Sequence, residues 1–351
     1  MKIVALTHGY PPLWNMGGEV SLHRTMKAIS GDKFVLTNTD SPYTFEGVVV
    51  DQIDTPNVLN VLSNPRPIAS QLEKLGANIV IGQNELSLVA VKAARIVKAV
   101  SIVNIHTPPK YGRALFDAVR MADYAIYNTH VAAREWGEPD ALVIHPPISP
   151  LPDKVNNNGD AYTLLSSLYN KGVEVVLGLA EMYPDKRFII VRSPAEKTHG
   201  IENLEGRAAK LPNVELHPRV APEEVYKYFE QTRILLVPSI YETYGMSAIE
   251  AAGYGIPSVH VDTPHVREGI GEAAVLVPGL DVKATAQGIE LIESNYDQYS
   301  ANARKKAEWL ANRQTIEEEN LSKFMENVSL PSIEENSVRA KKVYLALRKR
   351  R

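Results

Sequence analysis

The chain has no cysteine. That absence removes disulfides, thiolate metal sites and a cysteine nucleophile together. No run approaches 18 uninterrupted apolar residues, so the sequence offers nothing that spans a membrane. Net charge is also small, at −3, which argues against a nucleic-acid partner reached by bulk electrostatics. The opening "MKIVALTHGY" has the look of a strand and is too short for the apolar core of a signal peptide. A cytoplasmic location is therefore expected. What remains is 351 residues, 44% hydrophobic and 23% charged, a composition that suits two folded globular domains better than one core.

Short Val- and Ile-rich runs alternate with amphipathic stretches. "KIVAL", "KFVLT", "GVVVDQI", "NIVIGQ", "VSIVNIH", "YAIYN" and "ALVIH" read as strands. Several are apolar throughout, as a parallel sheet covered on both faces requires. "GGEVSLHRTMKAI", "ELSLVAVKAARIVKAV" and "GRALFDAVRMA" carry helical periodicity between them. The pattern stops at the Pro-, Asn- and Gly-dense "HPPISPLPDKVNNNGDA" and restarts with "AYTLLSS", "RFIIVR", "NVEL", "RILLVP", "IPSVHV" and "AAVLV". The reading is α/β, with two doubly wound Rossmann-like domains facing a cleft. We expect the first over 1–148, a linker over 149–160, the second over 161–325, and a terminal helix over 326–351 that crosses back to the first.

"RILLVPSIYETYGMSAIE" sets Glu242 and Glu250 with seven residues between them. On one helix, eight steps of about 100° would leave the two acids roughly 80° apart and off a shared face. The spacing fits a strand ending at Pro238, a loop through Gly245 and a helix from Met246, with Glu242 on the loop and Glu250 within the helix. Backbone N–H groups of Thr243, Tyr244, Gly245 and Met246 would then cluster at a helix start, which suits an anion such as a diphosphate. Spacing alone leaves equally open a loop acid and an unrelated solvated helix acid.

The stretch "PSIYETYGMSAIEAAGYGIPSVH" resembles the glutamate–seven–glutamate signature of retaining glycosyltransferases of sequence family four, which have the GT-B fold. Pro238, Ser239, Glu242, Tyr244, Gly245, Glu250, Ala251, Gly255 and Pro257 all fit it. The resemblance implies an enzyme of hexosyltransferase type that moves a sugar from a nucleotide-diphosphate-sugar to an acceptor hydroxyl, with retention and without a metal or cofactor. It implies that Glu242 contacts the donor sugar and Glu250 the nucleotide ribose. Gly17 and Gly18, in "HGYPPLWNMGGEV", match the family's glycine loop, where a bare backbone can approach the donor or acceptor closely. His106, after "SIVNI", matches a histidine at the reacting centre; by itself a lone histidine at a strand end is more often structural. Lys171 before Gly172 matches the lysine that neutralises donor phosphates. An arginine usual five residues earlier is here Ser166, and Arg192, at the next strand's end, is expected to supply that charge. No Asp-x-Asp closes a strand and no histidines have ligand spacing, consistent with metal independence.

Glycan, protein and lipid acceptors all stay open, as does peripheral membrane contact by the basic "VRAKKVYLALRKRR". The alternatives are a nucleotide-sugar epimerase of the same fold, which would need no acceptor, and a sugar-nucleotide-binding protein that has lost catalysis.

Overall fold

The computed structural model describes residues 1–14, 17–53, 64–109, 113–153, 158–193, 200–221, 224–329, 337–339 and 343. The chain divides into two compact units, Met1–Pro147 with Gln314–Arg351, and Ile148–Arg313. Among the described residues no helix is long and apolar enough to cross a membrane.

The first unit holds an eight-stranded sheet of order β3-β4-β2-β1-β5-β6-β7-β8. Its strands are β1 (Lys2–Leu6), β2 (Asp32–Thr37), β3 (Tyr43–Phe45), β4 (Val48–Gln52), β5 (Ile79–Gln83), β6 (Val100–Ile105), β7 (Tyr124–Tyr127) and β8 (Leu142–Val143). All pairings are parallel except β3 with β4. β1, β5 and β6 are apolar on both faces because helices cover both: one core gathers Ile3, Ala5, Leu22 and Ile81, the other Val4, Leu6, Val80 and Val89. The order reverses between β1 and β5, the position at which open α/β sheets generally bind ligands.

One element shows how a loop-like stretch can fold: "YTFEG", read from sequence as one of the first domain's loops that shape the acceptor side together with "VLNVLSNPRP", instead has Tyr43–Phe45 paired with Val48–Val50 through a two-residue turn. Glu46 and Gly47 both take positive φ, 45° and 81°, as the tightest hairpin turn demands. Glu46 is an unusual residue for that position, which hides the hairpin. The companion stretch "VLNVLSNPRP" lies mostly outside the described residues.

The second unit has a six-stranded parallel sheet, β11-β10-β9-β12-β13-β14. The strands are β9 (Ala161–Leu164), β10 (Arg187–Val191), β11 (Val214–His217), β12 (Thr232–Val237), β13 (Ser258–Val261) and β14 (Val275–Val277). Here the order reverses between β9 and β12. Tyr162, Leu164, Phe188, Leu236 and Val259 fill one side, and Leu235, Val237, Ala248 and Ile249 the other.

The helix Tyr296–Asn327 serves both units. Ala303, Ala307 and Leu310 are buried in the second; Leu321 and Met325 are buried in the first. Beyond it, Arg339 donates to the Val119 and Ala122 carbonyls at 2.6 Å and pairs with Glu138, while Val343 is buried beside Trp136. The remainder of that basic segment is outside the described residues.

Candidate active site in the second unit

The loop after β9 and the loop after β12 meet where the strand order reverses. β12 ends at Val237 and the helix begins at Met246. Glu242 therefore lies on the connecting loop and Glu250 within the helix. Gly245 caps that helix at φ 81° and ψ 46°, a left-handed conformation that glycine alone adopts without strain. The N–H groups of Met246 and Ser247 open the helix with no intrahelical acceptor.

After β9 a single 3-10 turn, Tyr169–Lys171, leads through Gly172 into the helix Val173–Met182. Gly172 has φ 83°, and a Cβ there would lie 2.1 Å from the Pro238 carbonyl oxygen. No side chain fits. The Ile240 N–H donates to the Asn170 carbonyl at 2.9 Å, which ties the two loops together. Lys171 Nζ consequently reaches Glu242 Oε2 at 2.9 Å. The side chains keep 32% and 17% of their surface in solvent, so both remain open to a ligand.

Glu250 sits deeper. Burial raises its pKa to about 7, and the Ser149 hydroxyl, 3.5 Å from Oε1, opposes that only weakly. His260 on β13 lies beside the loop: its Cε1 is 3.6 Å from where a Cβ on Gly245 would stand. Burial lowers the His260 pKa to about 4, against the pull of Glu242, and its Nδ1 has no hydrogen-bond partner. Tyr244, 1% exposed, accepts a hydrogen bond on its hydroxyl from Arg313.

The structure brings Lys171, Glu242, Thr243, Tyr244, Gly245, Met246 and Glu250 onto two adjoining loops and one helix. Arg192 follows β10 and its guanidinium pairs with Glu205. Gly17, Gly18 and His106 belong to the first unit. His106 follows β6, and its Nε2 is buried without a hydrogen-bond partner; burial lowers its pKa to about 4. His260, Ser149 and Arg313 were missed by sequence reasoning. The signal for His260 was present, since a histidine inside the apolar run "IPSVHV" is a polar group where only carbon is expected.

Residues 163–295 match the family described as Glycosyl transferases group 1. The match lies within the second unit. Two curated relatives are similar to part of the chain. The chain is 32% identical to a D-inositol 3-phosphate glycosyltransferase of Streptomyces griseus over 26% of its own length and 20% of that protein. It is 30% identical to the protein of the same name from Corynebacterium urealyticum over 38% of its length and 34% of that relative. The matches thus span a fifth and a third of those proteins. The solved structure of Anabaena HepE in complex with UDP and glucose superposes with a TM-score of 0.75, at 16% identity, over 93% of this chain and all of that one. The fold of the chain is accordingly GT-B.

Proposed function

We propose that the chain transfers a sugar from a nucleoside-diphosphate-sugar to an acceptor hydroxyl, with retention at the anomeric carbon and without a metal. The carrying observation is the Lys171–Glu242 contact of 2.9 Å, set at the reversal point of the sheet beside the glycine-capped helix start. HepE, solved with UDP and glucose, supports a UDP-sugar as the donor class.

In this reading the donor diphosphate lies against the N–H groups opening the helix at Met246 and takes a share of the Lys171 ammonium. Glu242, released in part from Lys171, accepts hydroxyl protons of the donor sugar. Glu250 accepts from the ribose hydroxyls, which both donate and accept. As the anomeric bond breaks, charge gathers on the departing diphosphate. Fixed donors aimed at that charge stabilise it more in the transition state than in the ground state. Arg192, once free of Glu205, is the second cation, standing in for the missing arginine at Ser166.

Calorimetric titration with UDP and a panel of UDP-sugars tests the reading. Lys171→Met should weaken UDP binding about tenfold or more, as expected for a charge-assisted bond of ~1.5–3 kcal/mol. Arg192→Ala should weaken it less. Absence of nucleotide binding would overturn the proposal. So would full-speed transfer by a Glu242→Gln, Glu250→Gln double variant, or formation of an epimer from donor alone.

A further inference from the structure

β13 carries two polar side chains into a face of its sheet that is otherwise carbon. Ser258 is level with Leu235 on β12, and His260 with Val237, so all four face one side. Tyr244, Ala248 and Ile249 pack against that side, from the loop and helix that bear Glu242 and Glu250. His260 is fully buried and Ser258 is 1% exposed. Nε2 of the imidazole lies 3.0 Å from Ser258 Oγ. Nδ1 has no partner. A buried ring nitrogen left this way costs stability that valine or leucine in its place would not. The strand itself gains nothing from it, so the physical explanation is a partner that arrives in another state of the site.

Glu242 is placed to be that partner. A Cβ on Gly245 would stand 3.6 Å from His260 Cε1, the carbon between the two ring nitrogens, and 3.9 Å from Glu242 Cγ. Among the described residues those two side chains are all that such a Cβ would meet within 4 Å. Glycine keeps the gap between them open. Glu242 is also the charge that acts on the buried imidazole, pulling its pKa upward against burial. For the present Glu242 Oε2 is spent on Lys171 Nζ, at 2.9 Å. A diphosphate that claims the lysine takes away the counter-charge of a carboxylate that is only 17% exposed. Such a carboxylate needs a new donor close by.

We propose that His260 is a positioning residue for Glu242: as a diphosphate draws Lys171 away, the carboxylate passes to the Nδ1–H of His260 and stays an ionised acceptor for the donor sugar. Ser258 sets the tautomer. Its hydroxyl donates to Nε2, which leaves the single proton of the neutral ring on Nδ1. This role rests on the donor binding proposed above and adds to it a residue from outside the two loops.

The test uses the whole chain with UDP as the probe. With isotope-labelled histidine, NMR signals of His260 are identified by their loss in His260→Asn. The proton should stand on Nδ1, and its resonance should move downfield when UDP is added, as a charge-assisted hydrogen bond forms. In Glu242→Gln the same addition should leave it in place. Calorimetry supplies a second readout. His260→Gln keeps an amide near Ser258 but loses the donor at Nδ1, whereas His260→Asn keeps a donor there. Glutamine should weaken UDP about tenfold, the scale of one charge-assisted bond, and asparagine should restore most of that affinity. In the Glu242→Gln background, where no carboxylate is stranded, His260→Gln should cost nothing further. Equal losses in both backgrounds would reduce His260 to a packing residue and overturn the proposal. A proton on Nε2, or an Nδ1 resonance indifferent to UDP, would overturn it too, while UDP binding by the parent chain leaves the donor reading standing. Failure of the parent chain to bind UDP would instead strike the donor reading, and this role with it.

Discussion

Arg313 donates to the hydroxyl of Tyr244, 69 residues away in sequence. Tyr244 is immediately followed by the glycine that caps the helix of Glu250, and Gly269 packs so closely on its carbonyl oxygen that a Cβ would come within 2.2 Å. The loop bearing Glu242 is therefore held by Arg313 and Gly269 through Tyr244. Tyr244→Phe removes only the hydroxyl and leaves Arg313 short of an acceptor. It should cost about 1–2 kcal/mol of stability and raise the donor KM several-fold with little change in kcat. Steady-state kinetics beside a denaturant titration separates the two effects. An unchanged KM would show that the loop needs no such anchor.

Glu250 ties stability to pH in a sense opposite to the role proposed for it with donor. Its folded pKa of about 7 lies above the ordinary 4.5. The folded chain thus takes up the proton more readily than the unfolded one. The stabilisation from this group is fully present below pH 4.5 and is lost as pH climbs through 7, about 3 kcal/mol in all. Ribose hydroxyls, by contrast, are best received by the carboxylate. Donor affinity should rise between pH 6 and pH 8 while this contribution to stability falls. Glu250→Gln should flatten both trends and raise stability at pH 8. Melting curves and UDP titrations at the two pH values decide it.

His106 moves the other way. Burial depresses its pKa to about 4 from 6.5, so its share of stability is present above pH 6.5 and is lost as pH falls toward 4. Its ring resonance should not titrate between pH 8 and pH 5.5. A midpoint near 6.5 would place the imidazole in solvent instead.

Gly172→Ala would force a Cβ into the Pro238 carbonyl at 2.1 Å in a backbone region that alanine avoids. We expect a loss of about 2–4 kcal/mol, with any folded remainder binding UDP as weakly as Lys171→Met. The measurement is a melting curve followed by titration. Native stability would show that the lysine turn and the strand end can part freely.

The strands could be read because each is a compact apolar run between turn signals, and covering a parallel sheet on both faces leaves little choice of residue. The placement of Glu242 and Glu250 on loop and helix followed from spacing, because one helix cannot align both. The Tyr43–Phe45 strand escaped because three residues give no period and Glu46-Gly47 is an uncommon turn. Ser149, His260 and Arg313 escaped for another reason. Their weight comes from Glu250, Gly245 and Tyr244, which are near in space and far in sequence.

The helix Tyr296–Asn327 has a practical corollary. Because Leu321 and Met325 complete the interior of the amino-terminal unit, a fragment stopped at Pro147 would expose the bare carbon of Ile3 and Leu22. It should be recovered only as inclusion bodies. A soluble half-protein would have to be spliced, joining the first 147 residues to the stretch from Gln314 onward.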